Sequence, residues 1–351
     1  MKKRLSFVLA LLVLLAAGCG KAGATRYQAQ FLQLFDTVTT IVGYADTEAQ
    51  FRKISEQVRQ QLEQYHQLYD IYNDYEGVNN IKTINDNAGI APVAVDQRII
   101  DLLLFARDIH GQTGGKVNVA MGSVLSLWHD YREAGTEDPA EAALPPMELL
   151  RNAAEHTSIE AVLINQEAST VYLTDPAMSL DVGAMAKGYA VEQIARQLES
   201  EGVTSLLLSV GGNVRAIGGK IINDDNKEPF WTIGIQNPDK ASDQADLFAV
   251  MIEGLSVVSS GVYERYYTVD DIRYHHIIDP ETLMPAGRFA QVTLICPDSG
   301  LADALSTYIF SLPAEEGRRL IESMDGVEAC WVDSAGNIAY SSGFQDYIKE
   351  K

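Results

Sequence analysis

From Trp231 onward the chain reads as one short strand after another. The runs are residues 231–235, 247–252, 256–260, 265–269, 274–278 and 291–295, with no helical pattern among them. They are rich in β-branched and aromatic residues, which suit a pleated, half-buried surface. Two helical stretches, 299–310 and 313–324, and two closing strands, 327–332 and 338–340, finish the chain. Strands and helices do not alternate regularly anywhere, so the expectation is an α+β fold rather than a doubly wound sheet.

The first half is more mixed. Residues 31–44 read as a strand around Asp36-Thr-Val-Thr-Thr-Ile-Val-Gly43. Residues 48–69 read as a helix, because Phe51, Ile54, Val58, Leu62 and Tyr65 recur at three- and four-residue steps. A polar, aromatic stretch, 70–89, is too long for a tight turn and reads either as a binding loop or as a mobile surface loop. A second helix spans 96–110, with Asp96 at its start. Residues 117–128 form an apolar segment, 130–146 an acidic loop or insertion, and Pro146 opens a short helix to Ala154. A hairpin pairs 159–164 with 170–174. A strand at 178–180, a glycine turn and a helix to about Ser200 follow, and Val191, Ile194, Ala195 and Leu198 make that helix's buried stripe. Strands at 205–210 and 214–217 flank Gly211-Gly-Asn213.

The N-terminus reads as a targeting segment. Lys2, Lys3 and Arg4 precede an apolar run, Leu5 to Leu15, too short to span a bilayer comfortably. Leu15-Ala-Ala-Gly-Cys19 then resembles a bacterial lipoprotein signal, the alternative being a plain signal peptide cut nearby. That resemblance implies removal of residues 1–18, lipidation of Cys19, a tether over 19–27 and a folded part over 28–351. The location implied is extracytoplasmic, lipid-anchored to the bacterial cell membrane. Cys296 and Cys330 lie in apolar strand-like runs and read as two buried free thiols, although an oxidising compartment permits a disulfide. With 27 basic against 48 acidic residues the formal charge is −21, which argues against nucleic acid as a partner. A phosphorylated ligand would need cations supplied locally, by a lysine, helix N-termini or a metal.

Four clusters carry chemistry. In Asp181-Val-Gly-Ala-Met-Ala-Lys-Gly188 a glycine turn enters a helix, whose free backbone N–H groups suit an anion, and Lys187 adds charge. Gly211-Gly-Asn213 lets a ligand approach the backbone or makes a simple turn. In Tyr274-His-His-Ile-Ile-Asp-Pro280 the adjacent histidines point to opposite faces of a strand, so one is structural and one faces a pocket. Asp279, three positions after His276, stands to orient it or to face a metal. In Ala302-Asp-Ala-Leu-Ser-Thr307, Asp303 and Thr307 share a helical face one turn apart. As hard oxygen donors they suit Mg2+ or Ca2+, unless Asp303 only complements the helix dipole.

These clusters, with Ser260-Gly-Val-Tyr263 between the second and third, stand in an order that resembles the ApbE-type FAD:protein FMN transferases. The resemblance runs from about Phe35 to the end. Its pattern differs here at Phe35-Asp-Thr37 (usually Met-Gly-Thr), at Asn118 (usually Asp) and at Leu283 (usually Gly).

The resemblance implies a T-fold-like core, a mixed or antiparallel sheet with packed helices. It also implies an enzyme that splits the pyrophosphate of FAD and joins FMN through a phosphoester to a Thr or Ser of a target flavoprotein, releasing AMP. Mg2+ would sit on Asp303, Thr307 and the Ala184 carbonyl, with Lys187 at the nucleotide. Phe35, Tyr72, Lys116, Val117, Asn118, Asp181 and Ile277 would line the FAD pocket. For the general base the choice is His276, with His275 as alternate. An FAD pyrophosphatase giving FMN and AMP, and a lipid-anchored FAD-binding protein without turnover, are the competing readings.

Overall fold

The computed structural model describes residues 24–35, 37–221 and 228–350. The signal segment, Cys19 and Asp36 lie outside the described residues.

Two strands open the chain, β1 (Thr25–Leu34) and β2 (Thr37–Ala45), followed by the long helix α1 (Glu48–Tyr69). Next come α2 (Ile81–Asp86), β3 (Val93–Ala94), α3 (Gln97–Gln112), α4 (Gly122–Glu137) and α5 (Met147–Ala154). A hairpin of β4 (Val162–Asn165) and β5 (Thr170–Leu173) leads to α6 (Ala186–Ser200), β6 (Leu206–Val210) and β7 (Asn213–Ile217). Then β8 (Trp231–Gln236), β9 (Asp246–Ile252), β10 (Ser256–Gly261), β11 (Tyr266–Val269), β12 (Ile272–His275) and β13 (Phe289–Cys296) follow without a helix. Helices α7 (Ser299–Ser311) and α8 (Ala314–Glu322) precede β14 (Glu328–Asp333) and β15 (Ile338–Tyr340).

Eight strands form one sheet in the order β1-β2-β6-β7-β10-β13-β14-β15, with every neighbouring pair antiparallel. The expected α+β class with an antiparallel core is therefore the observed one. Side chains alternate across this sheet, and each face closes a separate core. On β13 and β14, Val292, Leu294, Cys296, Ala329 and Trp331 pack under α7 and α8. Ile295, Cys330 and Val332 point the other way, against the β8–β9 hairpin. Cys296 and Cys330 thus lie on opposite faces, both buried and both free, as expected for two thiols that cannot meet. The first half of the sheet packs its helical face on α1, α3 and α6 through Ile41, Phe51, Val58, Leu103, Val191 and Leu208. A fourth cluster, around Val124, Trp128, Tyr267 and Leu283, holds α4 against the β11–β12 hairpin.

Several local expectations are corrected. Residues 31–44 form parts of two strands, not one. The break is at Phe35, whose φ of 51° lies in the left-handed region. Strand β1 starts at Thr25, inside the stretch read as a tether, because Tyr27 stacks on Phe51 of α1 at 5.5 Å. The long polar stretch contains α2, nucleated by a reciprocal capping box between Asn80 and Thr83. Helix α4 runs on to Glu137 through the supposed acidic insertion. Residues 178–180 pair with no strand among the described residues. The Asn85 side chain takes the place of a partner there, accepting from Leu180 N at 2.7 Å and donating to Leu180 O at 3.0 Å.

Leu283 has φ 59°, where the resembled pattern carries glycine. A non-glycine residue there costs about 1–2 kcal/mol. Leu283 is buried beside Trp128, and burying a Leu side chain returns about 1.5–3 kcal/mol. Burial of the side chain thus offsets a strain of similar size in its own turn.

Candidate active site

Helices α6 and α7 approach each other most closely at Gly188. A Cβ there would collide with the Ser299 carbonyl and with Asp303 Cβ. The approach brings the two most widely separated motifs together. Gly188 N donates to Asp303 Oδ2 at 2.8 Å. In a regular helix that N–H would go to the Ala184 carbonyl, four residues back. Because Asp303 takes it, Ala184 O accepts no backbone hydrogen bond among the described residues. A buried carboxylate and an uncommitted carbonyl are thereby placed at the start of α6. Thr307, half-buried, shares the Asp303 face of α7 one turn on.

The electrostatics at Asp303 are opposed. Burial pushes its carboxyl up, while the Lys187 charge, the Gly188 N–H and the Asn213 amide favour the ionised form. Asn213 Nδ2 is buried and makes no well-formed hydrogen bond among the described residues, so it acts on Asp303 as a nearby dipole. Lys187 Nζ is held at 3.1 Å by the Gly211 carbonyl. Gly211 and Gly212, at φ 49° and 88°, form the two-residue turn of the β6–β7 hairpin, in the mirror-image geometry that matches strand twist. The close approach at Gly211 is taken up by Thr37, whose side chain a Cβ would strike. This turn serves Lys187, and its closeness is used inside the protein.

A buried polar lattice fixes the α6–α7 register. Glu192, one turn beyond Gly188, accepts from Ser299 N at 2.8 Å and Arg215 Nε at 3.0 Å. Ser306 Oγ donates to Asp303 O at 2.8 Å and meets Ser260 Oγ at 2.7 Å, which ties the Ser-Gly-x-Tyr motif to the same helix.

The histidine pair divides as strand alternation requires. His275 is buried. Its Nε2 donates to Ala286 O at 2.7 Å and its Nδ1 accepts from Ile277 N at 3.2 Å, so it is a neutral structural group. His276 lies just past β12, opposite Arg265, whose carbonyl accepts from both His276 N at 3.1 Å and His276 Nδ1 at 3.3 Å. A carbonyl can only accept, so Nδ1 carries the proton and Nε2 is left as a lone-pair base. Desolvation and the Arg265 charge push this imidazole down, to about 3. Asp279 does not orient His276. It sits in the turn that ends at Leu283 and faces Lys116 at 3.7 Å.

Arg132 and Arg265 converge on this cleft, and neither lies in the sequence motifs. The Asp181 carboxyl is pushed up by desolvation, against the Gly183 N–H and the charges of Arg265, His129 and Arg132. Tyr72 faces it across the cleft, its phenol pushed up to about 12 by desolvation and by Asp181. The Tyr72 ring is exposed and lies 4.9 Å from the His129 ring, and Arg132 reaches His129 Nδ1 at 2.8 Å. The available signal was the surplus of acid: an anion site in such a chain requires local cations. Arg265 directly follows Tyr263-Glu264.

The remaining expected residues divide by depth. The Val117 and Ile277 side chains are in the core, so only their backbones can face a ligand. Asn118 is occupied in capping. It accepts from Ala120 N at 2.9 Å and donates to Thr157 O at 2.8 Å, and the adjoining Val119 carbonyl holds Asp181 N at 2.8 Å. Lys116 pairs with Glu281 at 2.8 Å. Phe35 packs edge-on against His66, ring centroids 5.6 Å apart. A cavity of about 740 Å³ lies between α1, residues 74–79 and the start of α3. It contains none of Asp303, Lys187 or His276, so the chemistry belongs to the cleft.

This arrangement offers cations for an anion in Lys187 and in the Arg132–Arg265 pair, oxygen donors for a hard cation, and a proton acceptor at His276 Nε2. Comparison with known proteins places the chain in one family. The ApbE family profile matches residues 35–331. The chain is 33% identical to an FAD:protein FMN transferase of Treponema pallidum over 278 residues, 77% of this chain and 75% of that protein. It is 31% identical to one of Klebsiella pneumoniae over 282 residues, 79% and 83% of the two chains. Among solved structures, the ApbE protein of Thermotoga maritima matches with a TM-score of 0.78 and 28% identity, over 93% of this chain and all of that one. The flavin transferase ApbE of Vibrio cholerae matches in fold, with a TM-score of 0.73 at 21% identity over 93% of this chain and 100% of that one.

Proposed function

The chain belongs to the ApbE family, and we propose that it transfers FMN from FAD to a threonine or serine hydroxyl of a target flavoprotein. The observation that carries this reading is the diversion of the Gly188 N–H to Asp303, which leaves a carboxylate and a bare carbonyl side by side. Lys187 stands next to Asp303 on α6. Asp303, Ala184 O and Thr307 are hard oxygen donors, the chemistry that suits Mg2+. Bound there, Mg2+ would offset charge on the FAD pyrophosphate.

The protein's own groups do the rest. Lys187, Arg132 and Arg265 orient the diphosphate. His276 Nε2 takes the proton of the target hydroxyl as its oxygen attacks the phosphorus of the FMN half. The bond to the bridging oxygen breaks and AMP leaves with that oxygen. Bound phosphate beside Arg132 and Arg265 would offset their charge and raise His276 toward the range where a base works well. Tyr72, Phe35, Asp181, Lys116 and the backbone of Val117, Asn118 and Ile277 form the FAD pocket in this reading.

The N-terminal pattern supports a lipid anchor at Cys19 and an extracytoplasmic location at the membrane. No helix among the described residues is long and apolar enough to cross a membrane. The test is to incubate the protein with FAD, Mg2+ and an extracytoplasmic flavoprotein domain, and to weigh that domain. An added FMN phosphoester supports transfer. AMP release with no change in acceptor mass would assign the site to hydrolysis.

A further inference from the structure

Phe35 and Tyr72 come from separate elements, the β1–β2 connection and the stretch after α1. One hydrogen-bonded chain nevertheless joins their backbones. Phe35 N donates to His66 Nδ1 at 3.4 Å. That bond fixes the imidazole as an acceptor at Nδ1, so Nε2 carries the proton and faces Tyr75 Oη at 3.4 Å. Tyr75 in turn donates to Asp70 Oδ2 at 2.6 Å. The same carboxylate accepts from Asn73 Nδ2 at 2.9 Å and, on its other oxygen, from Tyr72 N at 2.7 Å and Asn73 N at 3.2 Å. Every donor points one way, and the chain ends on a single buried acceptor.

Asp70 is suited to that place. Desolvation pushes its carboxyl up, but the donors from Tyr75, Asn73 and Tyr72 outweigh it and hold the group below the usual carboxylate range. All four donors are uncharged, so the group gathers a loop rather than making an ion pair. Phe35 needs such support. A bulky residue at φ 51° is an outlier that persists only where its surroundings hold it. The His66 bond to its N–H and the edge-on His66 ring at 5.6 Å provide that hold. Sequence alone pairs none of these residues.

We propose that Asp70 is the positioning residue of the aromatic walls of the FAD pocket, fixing Tyr72 directly and Phe35 through Tyr75 and His66. This rests on the reading above that Phe35 and Tyr72 contact FAD. Asp70→Asn turns one acceptor atom into a donor facing donors. It raises KM for FAD about 10-fold or more, with kcat within about 3-fold, because a wall that only binds acts on ground state and transition state alike. Tyr75→Phe cuts the branch to Phe35 while the backbone donors of Tyr72 and Asn73 still hold Asp70, and raises KM by about 3–5-fold.

The deciding measurement is a double-mutant cycle on kcat and KM with FAD and Mg2+, alongside Tm. In the Phe35→Ala background Tyr75→Phe adds nothing, since it acts through Phe35. If Phe35→Ala and Tyr72→Ala leave KM unchanged, the pocket reading falls and the proposal with it. If they raise KM while Asp70→Asn and Tyr75→Phe do not, the pocket stands and the role of Asp70 is overturned. Should Asp70→Asn not fold, Tyr75→Phe alone decides: full additivity with Phe35→Ala overturns the proposal.

Discussion

Asp303 is needed ionised and is costly to keep so. Burial raises its carboxyl above the unfolded value. A group raised in this way adds stability below its unfolded pKa and loses it as pH rises through the folded one, so ionising Asp303 costs the fold stability. Asp303→Asn keeps an oxygen for the Gly188 N–H but sheds that cost. The expected outcome is a Tm above the parent's at pH 7 and activity down by about 10²–10³-fold, from calorimetry and acceptor mass. A lower Tm would show that the carboxylate stabilises the apo protein. His276 offers a second test. A positive neighbour disfavours the imidazolium, so removing the Arg265 charge must raise its pKa. In Arg265→Gln the acid limb of kcat/KM moves to higher pH than in the parent, by less than the full depression because burial remains. An unmoved limb would assign the proton transfer to another group.

At the scale of elements, the site is a joint between α6 and α7. Glu192 sets its register, Gly188 its separation, and Asp303 caps the start of one helix from the middle of the other. Gly188→Ala must push the helices apart by the width of a methyl group. Overpacking of this kind costs about 1–3 kcal/mol. The activity loss should exceed what the lost stability explains, because Asp303 leaves the N–H that positions it. Urea unfolding and single-turnover transfer, measured on one preparation, check this. Loss of stability with full activity would detach the joint from the chemistry. Ala184 behaves differently: only its carbonyl matters, so Ala184→Ser should change little.

The whole molecule carries a formal charge of −21, and its proposed substrate is also an anion. Long-range repulsion is screened within about 10 Å at 0.1 M salt, while contacts inside the cleft are screened far less. Raising salt from 10 to about 100 mM should therefore speed FAD association by a few-fold, with little change in the dissociation rate. Stopped-flow flavin fluorescence reads both rates. Slower association at higher salt would mean that the cleft's own cations dominate the approaching ligand.

Much of this protein is legible in its sequence, where the signal is local. The α1 stripe, the Asp96 cap and the run of strands after Trp231 follow from periodicity and backbone chemistry, which act over a few residues. The histidine division follows too, because neighbours on a strand must face apart. What is set by distant partners is not legible. Nothing near Leu180 announces that the Asn85 side chain replaces a strand, and nothing near Phe35 announces His66. The arrival of Arg132 and Arg265 in one cleft depends on α4 packing against the β11–β12 hairpin. Lys187 and Asp303 are 116 residues apart in sequence, and only the crossing at Gly188 makes them one site. Sequence chose the residue types, because their chemistry is intrinsic. Tertiary structure decided which of them meet, because distance and desolvation exist only once the helices and sheet have packed.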